Sequence, residues 1–243
     1  FSIIIFFIII YSLKSQNTYL TLNHSFDYKI QKAVYSSQTR FFTSTQPFLY
    51  NDIKQIINYD SIINIQKIEN HYTENLKKKT WNKIFNEDLF TLKRNNFCFT
   101  VNPLMNFSFG RDFSNHKNTY TNTRGFEIKA SIGKRLSFYS SFYENQASFV
   151  DYVDTYIRKN RVVPGQGLIR NFNDGFDFAN SNGYIFYDAG KHFNFQFGHG
   201  KNFLGDGYRS LLLSDNSFNN LFLKATVNIW HLKYQILYNQ YID

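Results

Sequence analysis

Cysteine is nearly missing from this chain: Cys98 is the only one in 243 residues. A lone cysteine excludes an internal disulfide framework and any cysteine-cluster zinc site. Proline is almost as scarce, with three residues, so few points interrupt a long extended ladder. Long apolar runs are also lacking. The longest is terminal, Ile3 to Tyr11, and is too short for a membrane helix, which needs ~20 residues. It fits the apolar core of a secretory signal, with a cleavage point near Ser15-Gln16, although Leu13 is not the small residue usual at the third position back. The chain does not open with Met. The expectation is a signal segment over residues 1–15, truncated at its start. The six histidines show no metal-ligand pairing, no G-x-x-x-x-G-K-[ST] loop is present, and Asp174 and Asp177 lack calcium-loop spacing. No cofactor, no metal and no enzymatic role are expected.

What is abundant is aromatic side chains. Phe and Tyr number 28 and 18, yet mean hydropathy is −0.40. A soluble core does not need so many rings, whereas a sheet with a lipid-facing side and aromatic girdles does. Net charge is +9, from 27 basic and 18 acidic residues. That balance suits nucleic acid, anionic lipid or an acidic polymer. The basic residues are spread along the chain rather than grouped on one face, which argues against nucleic acid.

Residues 16–95 carry helical spacing. Ile53, Ile56 and Ile57 follow a capping Asn51-Asp52, and Trp81, Ile84, Phe85 and Leu89 repeat the pattern. This reads as a mainly helical N-terminal segment, with Lys77, Lys78 and Lys79 on a solvated face. From Asn96 the period becomes two. Alternation predicts seven strands over 96–243: Phe97 to Gly110, Phe126 to Ile132, Leu136 to Tyr143, Tyr184 to Asp188, His192 to Phe197, Leu221 to Ile229 and Leu232 to Tyr241. In the fifth, Phe193, Phe195 and Phe197 take one face and Asn194 and Gln196 the other. Long connections are expected after strands one, three and five, and tight turns at Gly133, Gly190 and Trp230. Loops sorted in this way are the mark of an outer-membrane barrel. The expected fold is therefore an all-β transmembrane outer-membrane β-barrel, antiparallel and up-and-down, behind a small N-terminal helical segment. Seven strands cannot close such a barrel, so the expectation includes further strands beyond Asp243.

The densest motif runs from Gly198 to Ser210, in the loop after the fifth strand. Lys201, Asp206, Tyr208 and Arg209 form a chemically suitable surface for a polar or anionic polymer: Arg holds a carboxylate through two parallel bonds, and a Tyr ring offers a face to a sugar. Asp174 and Asp177, beside Phe176 and Phe178 in the longest connection, suit sugar hydroxyls. The plain alternative at both places is ordinary loop packing. Ser210, His199 and Asp206 are the types of a nucleophile triad, but a triad is defined by geometry and nothing in the sequence aligns them.

The runs PGQGLIRNF, FDFA, FGHGKNFLGDGYRSLLLSD and KYQILYNQ resemble the Wzi-type capsule-assembly outer-membrane proteins of the Bacteroidetes, most closely their gliding-motility members. The resemblance covers Asn96–Asp243 well and His24–Asn95 weakly. It implies an outer-membrane location, a periplasmic N-terminal part, and assembly or attachment of surface polysaccharide with a link to gliding. The partners implied are outer-membrane lipid, surface polysaccharide, and motility or secretion machinery. A porin-like transporter is the alternative.

Overall fold

In a computed structural model, the structure describes residues 18–20, 22, 30, 32, 34, 41–49, 52–53, 88–207 and 209–241. The signal segment, the Trp81–Phe85 spacing and Ile56-Ile57 lie outside these residues. A short strand β1 (Thr45–Gln46) opens the described chain. The main sheet holds β2 (Phe90–Arg94), β3 (Phe97–Asp112), β4 (Lys117–Ile132), β5 (Leu136–Ser148), β8 (Arg170–Phe172), β9 (Gly175–Asp188), β10 (Phe193–Gly200), β12 (Asn220–Ile229) and β13 (Leu232–Gln240). Helix α1 (Asp151–Asn160) and the two-residue strands β6 (Val162–Val163) and β7 (Gly167–Leu168) fill the β5–β8 connection, and β11 (Phe203–Leu204) lies after β10.

The seven expected strands are all present, and their pairing is antiparallel throughout. The order across the sheet is β13-β12-β10-β9-β5-β4-β3-β2, with β8 added beside β9. That order has two ends, β2 and β13, and among the described residues they do not pair with each other. The sheet is open, and the expected transmembrane β-barrel is corrected on this finding. Alternation sets which way each side chain faces. Closure depends on strand number, tilt and stagger, which alternation does not encode.

Two further expectations change. The connection after β3 is short, residues 113–116, instead of a loop of about a dozen residues. The run KNTYTNTRG is polar at both phases and shows no period, yet it extends β4, because ladder partners on β3 and β5 hold it from both sides. Leu89, which fits a helical spacing, immediately precedes strand β2. Grouping by end does hold. Gly133 N bonds Asn96 O at 2.5 Å, Asp188 N bonds Arg135 O at 2.7 Å and Asn228 N bonds His192 O at 2.8 Å, tying the tight turns into one rim. The longer connections lie at the opposite rim.

The faces are inverted relative to a water-soluble sheet. On β10, Phe193, Phe195 and Phe197 are 49%, 42% and 50% exposed, while Gln196 is 2% exposed. Leu221, Leu223, Tyr234, Ile236 and Tyr238 continue the exposed apolar face, and Lys224 and Thr226 the buried polar one. The inner face is covered by the N-terminal segment. Thr45 and Gln46 pair with Leu204 and Phe203, and Gly205 N bonds Ser44 O at 2.8 Å. Tyr19 meets Tyr184 and Phe186 edge-on, each with ring centres 5.6 Å apart. Ile30, Phe48 and Ile53 form a small core of their own within this segment.

Helix α1 gives the longest connection a core. Its acidic first turn (Asp151, Asp154) and basic last turn (Arg158, Lys159) suit the helix dipole. Ile157 is fully buried against Ala147, Val163, Ile169, Phe176 and Phe178. Arg161 ends the helix in the left-handed region at φ 62°. Burial by itself pushes the Asp154 carboxyl up, but hydrogen bonds from Arg158 and Lys117 outweigh it and hold it below the usual carboxylate range. Lys117, at 3.0 Å, ties the start of β4 to this helix.

Two outcomes are expected. A Cβ at Gly198 would sit 2.4 Å from Gly183 O and 2.6 Å from Tyr184 Cβ, so Gly198→Ala should lower stability by ~1–3 kcal/mol, read from urea unfolding. Asp154 has a depressed folded pKa, so its contribution is present above the unfolded value of ~3.9 and lost as pH falls through the folded one. Asp154→Asn should cost about 1–2 kcal/mol at neutral pH, the low end for bonds to charged groups because Arg158 is half exposed. The difference from wild type should shrink below ~pH 4 in a pH series of thermal melts.

Candidate site beneath the long connections

The inner face of the sheet is rich in tyrosine and amides, from the middle of β5, β9 and β10 up to the loop-bearing end. Tyr139 and Tyr184 stack with centres 5.2 Å apart and planes 20° from parallel. Tyr184 OH accepts a bond from Tyr19 N at 2.8 Å. These rings, with Tyr143 and Phe222, line one side of a cavity of about 310 Å³. Gln166, Asn180, Asn182, Gln196 and Asn219 supply amides to it, and Glu127, Lys201 and Asp215 supply charges.

The rim of the cavity is a bonded amide chain. Asn219 Nδ2 donates to Asn180 Oδ1 at 2.9 Å and to Ser181 O at 2.5 Å. Asn180 Nδ2 donates to Gln166 O at 3.3 Å. Lys201 joins the two long connections above the cavity: Nζ donates to Gly165 O and, at 2.9 Å, to Asp215 O. Burial pushes the Lys201 ammonium down from its ordinary range, and the Asp215 charge pulls it part of the way back. Further down the inner face, Lys224 Nζ bonds Asn202 Oδ1 at 3.1 Å and lies 4.6 Å from the Tyr19 ring centre.

The sequence-derived residues fall in three places. Lys201 lines the cavity and clamps its roof. Asp206 and Arg209 stand further along the same loop, both exposed. Thr43 Oγ1 donates to Asp206 Oδ1 at 2.5 Å, so this carboxylate fastens the loop to the N-terminal segment. Tyr208 lies outside the described residues. Asp174 occupies the turn between β8 and β9, close enough for its charge to act on Arg158. Asp177 is on β9, opposite Arg170 and Gln146 in the neighbouring strands. Asp174 belongs to the lid that α1 forms over this end, and Asp177 to the main sheet.

Ser210, His199 and Asp206 are each bonded elsewhere. Ser210 Oγ donates to Leu204 O and accepts from Leu212 N and Leu213 N at 3.1 and 3.2 Å, which makes it a turn residue. His199 Nδ1 lies 3.2 Å from Ser181 O. Among the described residues no group of three or more His, Cys, Asp or Glu is placed to hold a metal ion, and no helix is long and apolar enough to cross a membrane.

Comparison with known proteins finds no matching family model, no similar curated protein and no similar solved structure.

Sequence reasoning put Gln196 on the inner face but did not single it out, and it passed over Asn180, Asn182, Asn219, Tyr139 and Tyr143. The signal was available in part. Tyr139 and Tyr143 share the phase opposite Phe138 and Phe142, so the outward Phe positions mark them as inward. That Asn180 and Asn219 meet follows only from the folded connections. The Lys201 clamp leads to one expectation: Lys201→Met should expose both connections to added protease, with cleavage inside 161–169 or 211–219 appearing well before cleavage of the sheet.

Proposed function

We propose that the chain works at the bacterial outer membrane, with its apolar sheet face toward lipid, in the assembly or attachment of surface polysaccharide. One observation carries this reading. The sheet turns a continuous apolar face outward, with Phe193, Phe195, Phe197, Leu223 and Ile236 exposed, keeps its amides inward, and gathers its long connections, with Arg209 among them, at a single rim. An exposed apolar face of this extent marks an interaction surface. The net basic charge favours acidic partners. The resemblance of 197–215 to the capsule-assembly proteins supplies the polymer and the link to gliding motility, with motility or secretion machinery as a further partner.

In this role Arg209 holds an acidic group of the polymer. Its loop is pinned by Asp206 to Thr43 and by Ser210 to Leu204, so the guanidinium is presented from a fixed base. A bond to a charged group is worth roughly 1.5–3 kcal/mol, so Arg209→Ala should weaken polymer binding at least about tenfold. The measurement is surface polysaccharide retained by cells producing Arg209→Ala at the wild-type level, scored beside cells lacking the chain. Full retention in both strains would overturn the function. Full retention in the Arg209→Ala strain alone would remove Arg209 from it.

A further inference from the structure

We infer that the 310 Å³ cavity is a binding site for a single neutral sugar residue. The inference rests on the polysaccharide reading above and names where one unit of the chain is held. The size lies at the lower end of small-ligand sites, about 300–1,000 Å³. Sugar hydroxyls both donate and accept, and the cavity matches this, because each amide carries an acceptor oxygen and two donor hydrogens. Tyrosine supplies a flat ring for a C–H face and a hydroxyl beside it.

Gln196 is the residue that points to a ligand. It is 2% exposed, it lines the cavity, and its Oε1 has no hydrogen-bond partner among the described residues. An unmet buried acceptor is unfavourable, and a sugar hydroxyl would satisfy it. Asn182 is kept at the wall by Gly200: a Cβ there would stand 2.5 Å from Asn182 Oδ1. The charges of the lining are engaged already. Lys129 Nζ lies 2.7 Å from Glu127 Oε1, and Lys201 is bonded to two carbonyls. The Glu127 and Asp215 carboxylates line the cavity beside the Lys201 ammonium, so an acidic sugar would meet like charge there, which is why the occupant is neutral. Arg209, out on the loop, serves the acidic groups.

The test uses the full chain in detergent. Binding of glucose, galactose, mannose, N-acetylglucosamine and glucuronate is followed by saturation-transfer NMR and calorimetry, with thermal melts of every variant. At least one neutral sugar should bind, and glucuronate should bind more weakly. Gln196→Met keeps the shape and removes the acceptor. It should lose at least about tenfold in affinity while melting at or above the wild-type temperature. If Gln196→Met does not fold, Tyr143→Ala, at a half-buried position on the same wall, should show the same loss. Failure of all four neutral sugars to bind, tighter binding of glucuronate, or wild-type affinity in a folded Gln196→Met protein would overturn the site. The two proposals separate cleanly. Sugar binding by the purified chain, with polymer retention unchanged in cells lacking it, would sink the function and leave the site. Polymer retention that needs the chain but not Gln196 would do the reverse.

Discussion

The structure depends on one constraint: the polar side of the sheet is the buried side. Polar groups taken out of water must find partners or cost free energy. Gln196, Lys224, Thr226, Asn145 and Asn180 are all buried, so the inner face cannot be closed by an ordinary apolar layer. What closes it is mixed in character. Tyr19 supplies a backbone donor to Tyr184 and a ring to Lys224. Thr45 accepts a bond from Lys233 at 2.9 Å. Asn202 meets Lys224, and Asn145 bonds Thr123 Oγ1 and, at 3.4 Å, Phe178 O. The N-terminal segment and the long connections act as the second layer that a sheet needs.

The loop-bearing end follows from the same constraint. A connection lying over buried amides has to be ordered to bond them, and this one has its own means of order. Helix α1 buries Ile157 in a small apolar core. Asp112 Oδ2 accepts from Asp151 N at 3.0 Å, Lys117 reaches Asp154, and Arg158 lies 5.1 Å from the Phe176 ring centre. Hydrogen bonds to Ser114 and Asp151 also hold the Asp112 carboxyl below its usual range. These contacts join the β3–β4 tip to the lid. The lid in turn meets the β10–β12 connection through Lys201 and Gly165. The cavity is the space left between a sheet that needs partners and connections that supply most of them.

Much of the sheet was legible beforehand. Residues 97–110, 136–143, 193–197, 221–229 and 232–240 show a period of two, with rings or aliphatic side chains on the outward phase, and each forms a strand. The tight turns at Gly133, Gly190 and Trp230 were legible from the short breaks they make in the alternation. Residues 117–125 and 175–183 were not: the first is polar at nearly every position and is held by its ladder partners, and in the second the alternation of Phe176 and Phe178 is only two rings long and lies in a stretch that reads as loop. Helix α1 was missed for a related reason. Ten residues with only Val153 and Ile157 as aliphatic inward positions give little periodic signal inside a segment that otherwise reads as loop. Of the candidate site, Lys201 and the phase of Gln196 were legible. The amide rim was not, since its members come from connections far apart in sequence.

The sequence alone determined the phase of each strand, the aromatic outer face and the sorting of connections to two rims, because these follow from local alternation and from turn residues a few positions apart. The tertiary structure decided whether the sheet closes, where the N-terminal segment lies and which polar groups meet. Closure needs pairing between strands at opposite ends of the order, β2 and β13, and no local pattern specifies that pairing. The place of the N-terminal segment depends on Thr45 and Gln46 finding Leu204 and Phe203 across more than half the chain. The cavity exists only where the sheet, the N-terminal segment and two connections converge, and its unmet acceptor becomes visible only when the neighbours of Gln196 are known.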